Sequence, residues 1–466
     1  MRYDRQNKEI EIKKLSNYIK FSYGFADLCF IFMVTFSNTY YLVFFTEVLK
    51  ISPVQAGVIM TFGRILDTIS VPILGPIIEK SNFKWGRYRS WILIGSFFIL
   101  LFNTIMCANL TGLPEGAYIV LYTIFYAAFC IATNVSYIGY TSLNSTLTVD
   151  AAERVQLSTF RGQGNSIGKI LAGWCLLPLI YLVAGAQEMT VQGFFITALL
   201  LGLLTVLGYG NLFAATKDYK DSGVTVKGGK AEKVTVAQMF KQVVTNRPLL
   251  AILVADVCRV LTTLLIVAMF PYFYIYVVKN PDIIPTFFGL TSILMLIGST
   301  LVPFITKKLT KKQTYILGMV WICAALVLMF FNASNATLVL VIACIGYVGV
   351  AFPNVVNTAM YADITDYSEW KTGYNARAVI FSVYQLSIKI AAVFSTSVAA
   401  FGLGLIGLQS GVEPTPEVIE GIKSLAMFFP AGVSLVAVIA MLFYNVNERK
   451  LPELRAEIAE RKVADN

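Results

Sequence analysis

The chain has 466 residues, 57% of them hydrophobic and 14% charged, with a formal net charge of +10. It is too apolar for an ordinary soluble protein and too long for one small bundle, so it reads as a polytopic, all-α membrane protein. The basic excess does not point to nucleic acid, because the basic residues stand in short loops between apolar stretches, where membrane topology places them.

The first twenty residues mix Arg2, Arg5, Lys8, Lys13, Lys14 and Lys20 with several acids, and no small-residue cleavage site follows the first apolar run, so no cleaved signal peptide is expected. Apolar stretches of spanning length follow at about 22–45, 54–78, 91–108, 117–143, 160–184, 192–215, 248–278, 285–306, 314–332, 337–362, 377–408 and 424–444, which makes twelve transmembrane helices. Basic residues then alternate sides. The N-terminus, Lys80/Lys84/Arg87/Arg89, Arg154/Arg161, the 216–247 segment, Lys307/Lys308/Lys311/Lys312, Lys371/Arg377 and the tail share one face, and the opposite loops hold Lys50, Lys279 and Lys423. This asymmetry predicts a multi-pass protein of the cytoplasmic membrane with both termini in the cytoplasm. The interval from Thr216 to Arg247 is the longest polar one and carries Gly228-Gly229 and alternating charges. It is expected to be a cytoplasmic central loop (216–247) between an N-terminal six-helix bundle (1–215) and a C-terminal six-helix bundle with its tail (248–466). Two such halves match the major facilitator plan, in which they rock about a midplane site.

Within the spans the charges to explain are Arg64, Asp67, Asp256, Arg259 and Lys389. A charge at bilayer depth costs roughly 2.5 to 3.5 kcal/mol on insertion scales, so it faces a water-filled cavity or an opposite charge inside the bundle. Arg64 and Asp67 are three residues apart and share a helix face. They are either a structural pair or a cation site, with Thr61, Thr68 and Ser70 as further oxygen ligands. Asp256 and Arg259 repeat the spacing and read as a structural pair outside any substrate site. Tyr40, Tyr41, Tyr137, Tyr140, Asn134, Asn354, Asn357, Tyr384 and Gln385 offer the rings and amides that a sugar needs, against the alternative that such residues anchor at the lipid interface or fill the core.

Other chemistry finds little support. The seven cysteines fall singly inside apolar stretches and the chain has no histidine, so free thiols, no zinc and no cofactor are expected. Gly162-Gln163-Gly164-Asn165-Ser166-Ile167-Gly168-Lys169 has the wrong spacing for a phosphate loop and lies inside a span. No nucleophile, paired acids or symmetric charged ring stands out, which disfavours a membrane enzyme or a channel.

Several stretches together carry a family resemblance. Ser22-Tyr23-Gly24-Phe25, Tyr40-Tyr41-Leu42, Phe44-Phe45-Thr46-Glu47, Arg64-Ile65-Leu66-Asp67, Lys84-Trp85-Gly86-Arg87-Tyr88-Arg89 and above all Asp363-Ile364-Thr365-Asp366-Tyr367-Ser368-Glu369-Trp370-Lys371-Thr372-Gly373 are similar to the glycoside-pentoside-hexuronide:cation symporters, the melibiose-permease type. The resemblance implies a secondary transporter of a sugar or glycoside, with a small-molecule sugar and membrane lipid as partners and a monomeric functional unit. It puts the coupling-ion site, for Na+ or H+, at Asp67 with Ser70 and Arg64, and the 363–373 match in a loop between helices ten and eleven.

The chain also departs from the family's pattern. Val71, just before Pro72, replaces the type's second helix-two aspartate, which leaves cation symport as the first expectation and proton coupling, relocated ligands or uncoupled facilitated diffusion as alternatives. The sugar-gripping acids of helices one and four are absent near Ile31 and Tyr137, and Asp27 stands one turn before Ile31, in a binding or a structural role. Arg161 resembles the helix-five arginine, Lys389 the helix-eleven lysine, and Lys169 lies two turns beyond Arg161. Losing acids while keeping these bases favours an anionic substrate such as a hexuronide. The alternative is that Lys389 pairs with Asp67 or Asp27 and the ligand is neutral. Asp363, Asp366 and Glu369 face Arg154 and the Lys84 to Arg89 cluster, as gating salt bridges between halves or as a solvated run. Gly75 to Arg89, with Glu79, resembles the superfamily's hinge loop between helices two and three.

Overall fold

The computed structural model describes residues 15–148, 151–185, 188–217, 246–372 and 377–446, and in the tail 448–451, 453–454 and 456–457. The basic residues Arg2 to Lys14, nearly all of the central loop, Gly373, the Arg377 side chain and the end of the tail lie outside the described residues. Among the described residues twelve helices are long and apolar enough to cross a membrane. They are α1 (Asn17–Val48), α2 (Pro53–Lys80), α3 (Arg87–Met106), α4 (Glu115–Asn144), α5 (Glu153–Ala184), α6 (Val191–Ala215), α7 (Arg247–Val277), α8 (Ile283–Ile305), α9 (Lys311–Phe331), α10 (Ala336–Lys371), α11 (Ile380–Leu405) and α12 (Pro416–Leu442).

Local chemistry starts several of them. Thr190 accepts from Gly193 N at 3.0 Å ahead of α6. Asn246 caps α7 with Pro248 in its first turn, and Thr310 and Gln313 form a reciprocal capping box before α9. The helices outrun the apolar stretches at several ends. Residues 363–371, expected in a loop, are the last turns of the tenth helix, which runs to Thr372. Between Pro353 and Gly373 nothing breaks the helix, so the polarity of Asp363-Ile364-Thr365-Asp366 marks where the span leaves the lipid, not where its hydrogen bonds stop. The fifth helix likewise opens at Ala151 and α12 at Pro416, ahead of the apolar onset.

By contacts the chain divides into two compact units, Met1–Ser37 with Ile69–Lys230, and Asn38–Thr68 with Ala231–Asn466. In the first unit α3 packs against α4 and α6, and α5 packs against α6 and α4. Here α1 and α5 meet through glycines. A Cβ on Gly24 would lie 2.6 Å from the Phe160 carbonyl oxygen, and Cβ atoms on Gly164 and Gly168 would collide with the Gly24 carbonyl and with Ile31 and Leu28. Gly164 and Gly168 of the apparent phosphate loop are therefore small-residue positions that let two helices touch backbone to backbone. In the second unit α7 packs on α11 and α12, α10 on α8 and α9, and α9 on α12, around a core of Leu249, Ile252, Tyr315, Met360, Tyr361 and Met441. Apolar side chains such as Leu207 in the first unit and Phe304 and Phe331 in the second point outward, as lipid allows and water does not.

One structural repeat escapes the reading by periodicity. The end of α1, Phe44–Val48, and the end of α7, Phe273–Val277, are both wide π turns. Each closes with the same two backbone bonds, Leu49 N to Phe44 O and Ile51 N to Phe45 O in one, Val278 N to Phe273 O and Asn280 N to Tyr274 O in the other. Lys50 and Lys279 then take φ of 57° and 56°. In this register Asp27 stands as far before Lys50 as Asp256 stands before Lys279.

Gly164→Val tests the backbone contact. Overpacking should lower stability by about 1–3 kcal/mol or more, read as a fall in unfolding temperature of detergent-purified protein, whereas Gly162→Ala, with open space around its Cβ position, should leave it unchanged.

Candidate functional site

In the second unit Asp67 and Lys389 come together. Lys389 Nζ lies 2.9 Å from both Asp67 Oδ1 and Asp67 Oδ2, so the ammonium straddles the carboxylate. The Asp67 side chain is 3% exposed and that of Lys389 28% exposed, so the acid is sealed while the base keeps an open side. Arg64 Nη1 stands 3.9 Å from Asp67 Oδ2, and its Nη2 donates to Asn38 Oδ1 at 2.5 Å. Arg64, expected as the partner of Asp67, is the more distant of its two bases because α11 delivers a closer one. Thr61 shares a 2.9 Å hydrogen bond with Ser397 and Thr68 donates to the Arg64 carbonyl. A small cavity beside Arg64 is lined by Asn38, Met60, Leu264, Ser395 and Thr396. Ser70, placed with Asp67 by the resemblance, accepts from Asn134 Nδ2 at 3.0 Å in the first unit. Gln385 is exposed on α11 one turn before Lys389.

Asp256 and Arg259 form a second, drier cluster in the same unit. Arg259 donates to Asp256 Oδ1 through Nε at 2.9 Å and Nη2 at 2.6 Å. Asn357 Nδ2 donates to the same oxygen at 2.9 Å, and Ser387 Oγ donates to Asp256 Oδ2. Arg259 Nη1 reaches Asn354 Oδ1 at 2.7 Å. The amides of Asn354 and Asn357, read from sequence as candidates for a sugar, thus serve this buried pair, because α10 brings both against α7. Tyr384 packs its ring 5.0 Å from that of Tyr361, and Tyr40 and Tyr41 are fully buried, which makes them core rather than cavity wall.

In the first unit a mixed-charge cluster forms where α1 meets α5. Asp27 is 2% exposed and accepts from Asn165 Nδ2 at 3.1 Å. Arg161 and Lys169 both act on its charge, and Arg161 also acts on Tyr23, Tyr137 and Tyr140. Tyr23 and Tyr140 stack at 4.4 Å and each hydroxyl donates to the other's backbone carbonyl, at 3.1 and 2.8 Å. Tyr137 stacks on Phe30 and keeps an exposed edge. The cluster holds two cations, one carboxylate and an accessible aromatic face. Asn165 is the member that motif reading passed over, since it looked like part of a failed phosphate loop.

The expected gating acids lie on the last turns of α10. Asp363 is buried and bonded to Lys311 at the start of α9, within its own unit, whereas Asp366 and Glu369 are half-buried. Two buried cations are held within the first unit: Arg89, of the cluster expected opposite the gating acids, and Lys20. Arg89 donates to the Phe213 carbonyl at 2.7 Å and stacks on that ring at 4.5 Å, closing the end of α6. Lys20 pairs with Glu153 at 2.8 Å. Neither lies in the middle of an apolar run, so hydropathy gives no signal for them.

The ends of α1 and α7 also meet within the second unit. Thr46 Oγ1 and Tyr272 Oη share a 2.6 Å bond and Tyr276 Oη donates to Glu47 Oε2. Above them is a cavity of about 450 Å³ lined by Glu47, Lys50, Tyr276, Lys279, Gly411 and Glu413.

The family described as MFS/sugar transport protein matches residues 22–448. The chain belongs to this family of the major facilitator superfamily. It is a multi-pass membrane transport protein and not an enzyme, and the resemblance to glycoside-pentoside-hexuronide symporters stands. Among relatives, a putative sulfoquinovose importer of Salmonella typhimurium is 26% identical over 460 residues, covering 97% of this chain and 95% of the relative. A glucuronide carrier protein homolog of Escherichia coli is 23% identical over 442 residues, covering 94% and 95%. The crystal structure of a D-xylose-proton symporter shares the fold, with a TM-score of 0.69 at 13% identity over 93% of this chain and 98% of that one.

Arg259→Met should separate the dry cluster from the Lys389 pair. Removing one partner of a buried ion pair costs about 3–5 kcal/mol, and Asp256→Asn combined with Arg259→Met should restore part of it, as measured by denaturant unfolding of the purified transporter.

Proposed function

We propose that this transporter carries a sugar bearing an acid group, such as a hexuronide, across the cytoplasmic membrane by alternating access, in symport with Na+ or H+. The observation that carries the coupled reading is the Lys389 ammonium seated 2.9 Å from each oxygen of Asp67, the pairing that the sequence weighed together with a neutral ligand. A carboxylate so occupied cannot take a cation until the ammonium leaves. A cation or proton that loads Asp67 therefore releases Lys389, and an anion that draws Lys389 away uncovers Asp67. Cation and acidic solute then favour each other by linkage, with one carboxylate and one unit of charge on each side of the exchange. The oxygens of Ser395, Thr396 and Asn38 offer neutral ligands nearby.

The anionic reading draws further support from the first unit, where Arg161 and Lys169 face the single carboxylate of Asp27. Arginine takes a carboxylate or sulfonate through two parallel hydrogen bonds, and the exposed Tyr137 ring suits the C–H face of a pyranose. Two of the relatives bear the names of acidic sugars, sulfoquinovose and glucuronide. Both termini face the cytoplasm in this scheme, the bundles 1–215 and 248–466 rock about a central cavity as a monomeric unit in lipid, and Asp363, Asp366 and Glu369 belong to the cytoplasmic gate. The rival reading, an uncoupled facilitator, takes the same ion pair as permanent.

Uptake into proteoliposomes decides between them, using labelled glucuronides and neutral glycosides with sodium, lithium or a pH step imposed. A cation gradient should raise glucuronide uptake by about 5- to 150-fold, the usual span of coupling between sites, and Asp67→Asn should abolish that dependence. Wild-type uptake indifferent to every cation makes the protein a facilitator. Preference for neutral glycosides removes the acid group from the proposal.

A further inference from the structure

The two charged clusters of the second unit are joined by α11. Ser387 binds Asp256 and Lys389 binds Asp67, and the two residues are two positions apart. On an α-helix that separation is about 200° of rotation, so the bonds leave from opposite faces of α11. Fixing the bond on one face therefore fixes the rotation of α11 at which the bond on the other face can form.

We propose that Ser387 and Asp256 are positioning residues for the transport site: they set the rotation of α11 so that Lys389 reaches both oxygens of Asp67. Asp256 is suited to the task because it is itself immobile. It is 0% exposed and accepts from Arg259, Asn357 and Ser387, which between them belong to α7, α10 and α11. Arg259 is tied in turn to Asn354 of α10. A carboxylate saturated by four donors in a dry core has no reason to move, whereas Asp67 is held by a side chain with an open face. The Ser387 hydroxyl thus links the rigid cluster to the face of α11 opposite Lys389, and it also lies 2.7 Å from the Tyr384 carbonyl of its own helix. Tyr361 and Tyr384, whose rings pack together at 5.0 Å, close the same surface of α11. The inference uses the Asp67–Lys389 pair on which the proposed function rests, and needs neither the identity of the sugar nor that of the ion.

The test is the reactivity of the Lys389 amine. Detergent-purified, full-length transporter is acylated briefly with N-hydroxysuccinimidyl acetate, and the extent at Lys389 is read by peptide mass spectrometry against Lys50 as an exposed internal standard. Asp67→Asn sets the fully released level. Ser387→Ala should raise acylation of Lys389 by about 2- to 10-fold, the range a single net hydrogen bond commands, and Ser387→Thr, which keeps the hydroxyl, should return it to the wild-type level. Asn354→Ala loosens the same cluster without touching α11 and should leave Lys389 at the wild-type level, so a merely structural role, which would move both variants alike, is told apart. Unchanged labelling in Ser387→Ala alongside a rise in Asp67→Asn overturns the positioning role. No rise in Asp67→Asn overturns the ion pair itself, and with it the function proposed above. Should Ser387→Ala not yield folded protein, Ser387→Cys, a weaker donor of similar size, carries the same prediction with an intermediate rise.

Discussion

A carboxylate inside a membrane bundle has to find its donors among neighbouring helices, since lipid offers none, and the arrangement of the second unit follows from how Asp67 and Asp256 do so. Asp256 is saturated by a guanidinium, an amide and a hydroxyl on fixed neighbours. Asp67 has the Lys389 ammonium across both oxygens, on a flexible side chain with an open side, and the Arg64 guanidinium at 3.9 Å. The same charge is therefore locked in one place and exchangeable in the other. Only the exchangeable one can answer to an ion or a substrate without dismantling the packing around it.

The first unit handles its buried acid differently. Asp27 has one amide at hydrogen-bond distance and two basic groups acting on its charge, among buried tyrosines and the partly exposed Tyr137. That arrangement depends on the glycines of α5, because the approach of α1 to α5 is closer than any side chain on Gly164 or Gly168 would allow. Asp27 and Asp256 occupy matching registers in helices that end in the same π turn. The two acids thus show how one position in a duplicated plan can be left open in one unit and filled in the other.

Much of the architecture was legible beforehand. Twelve apolar stretches, the alternation of basic loops and the matches around Arg64-Ile65-Leu66-Asp67 and Asp363 to Gly373 point to a membrane sugar transporter, and the span count and family agree. The misses share a cause. Hydropathy reports where a helix leaves lipid, so the tenth helix was cut short of residues 363–371 and the fifth was begun late. Motif reading treats a residue by its neighbours in sequence, so it does not reveal that Asn354 and Asn357, candidates for a sugar, also bond to Arg259 and Asp256. Asn165 went unnoticed because its partner, Asp27, lies on another helix.

What the amino-acid sequence determined by itself is the solvent, the number of spans and the set of charges that cannot remain alone in that solvent, because transfer energy is a property of each residue and sums along the chain. Which base answers which acid was decided only by tertiary structure. Arg64 lies on the same helix face as Asp67 and yet Lys389, 322 residues away along the chain, holds it. Pairing depends on distances of a few ångströms between helices far apart along the chain, which no local stretch of sequence encodes.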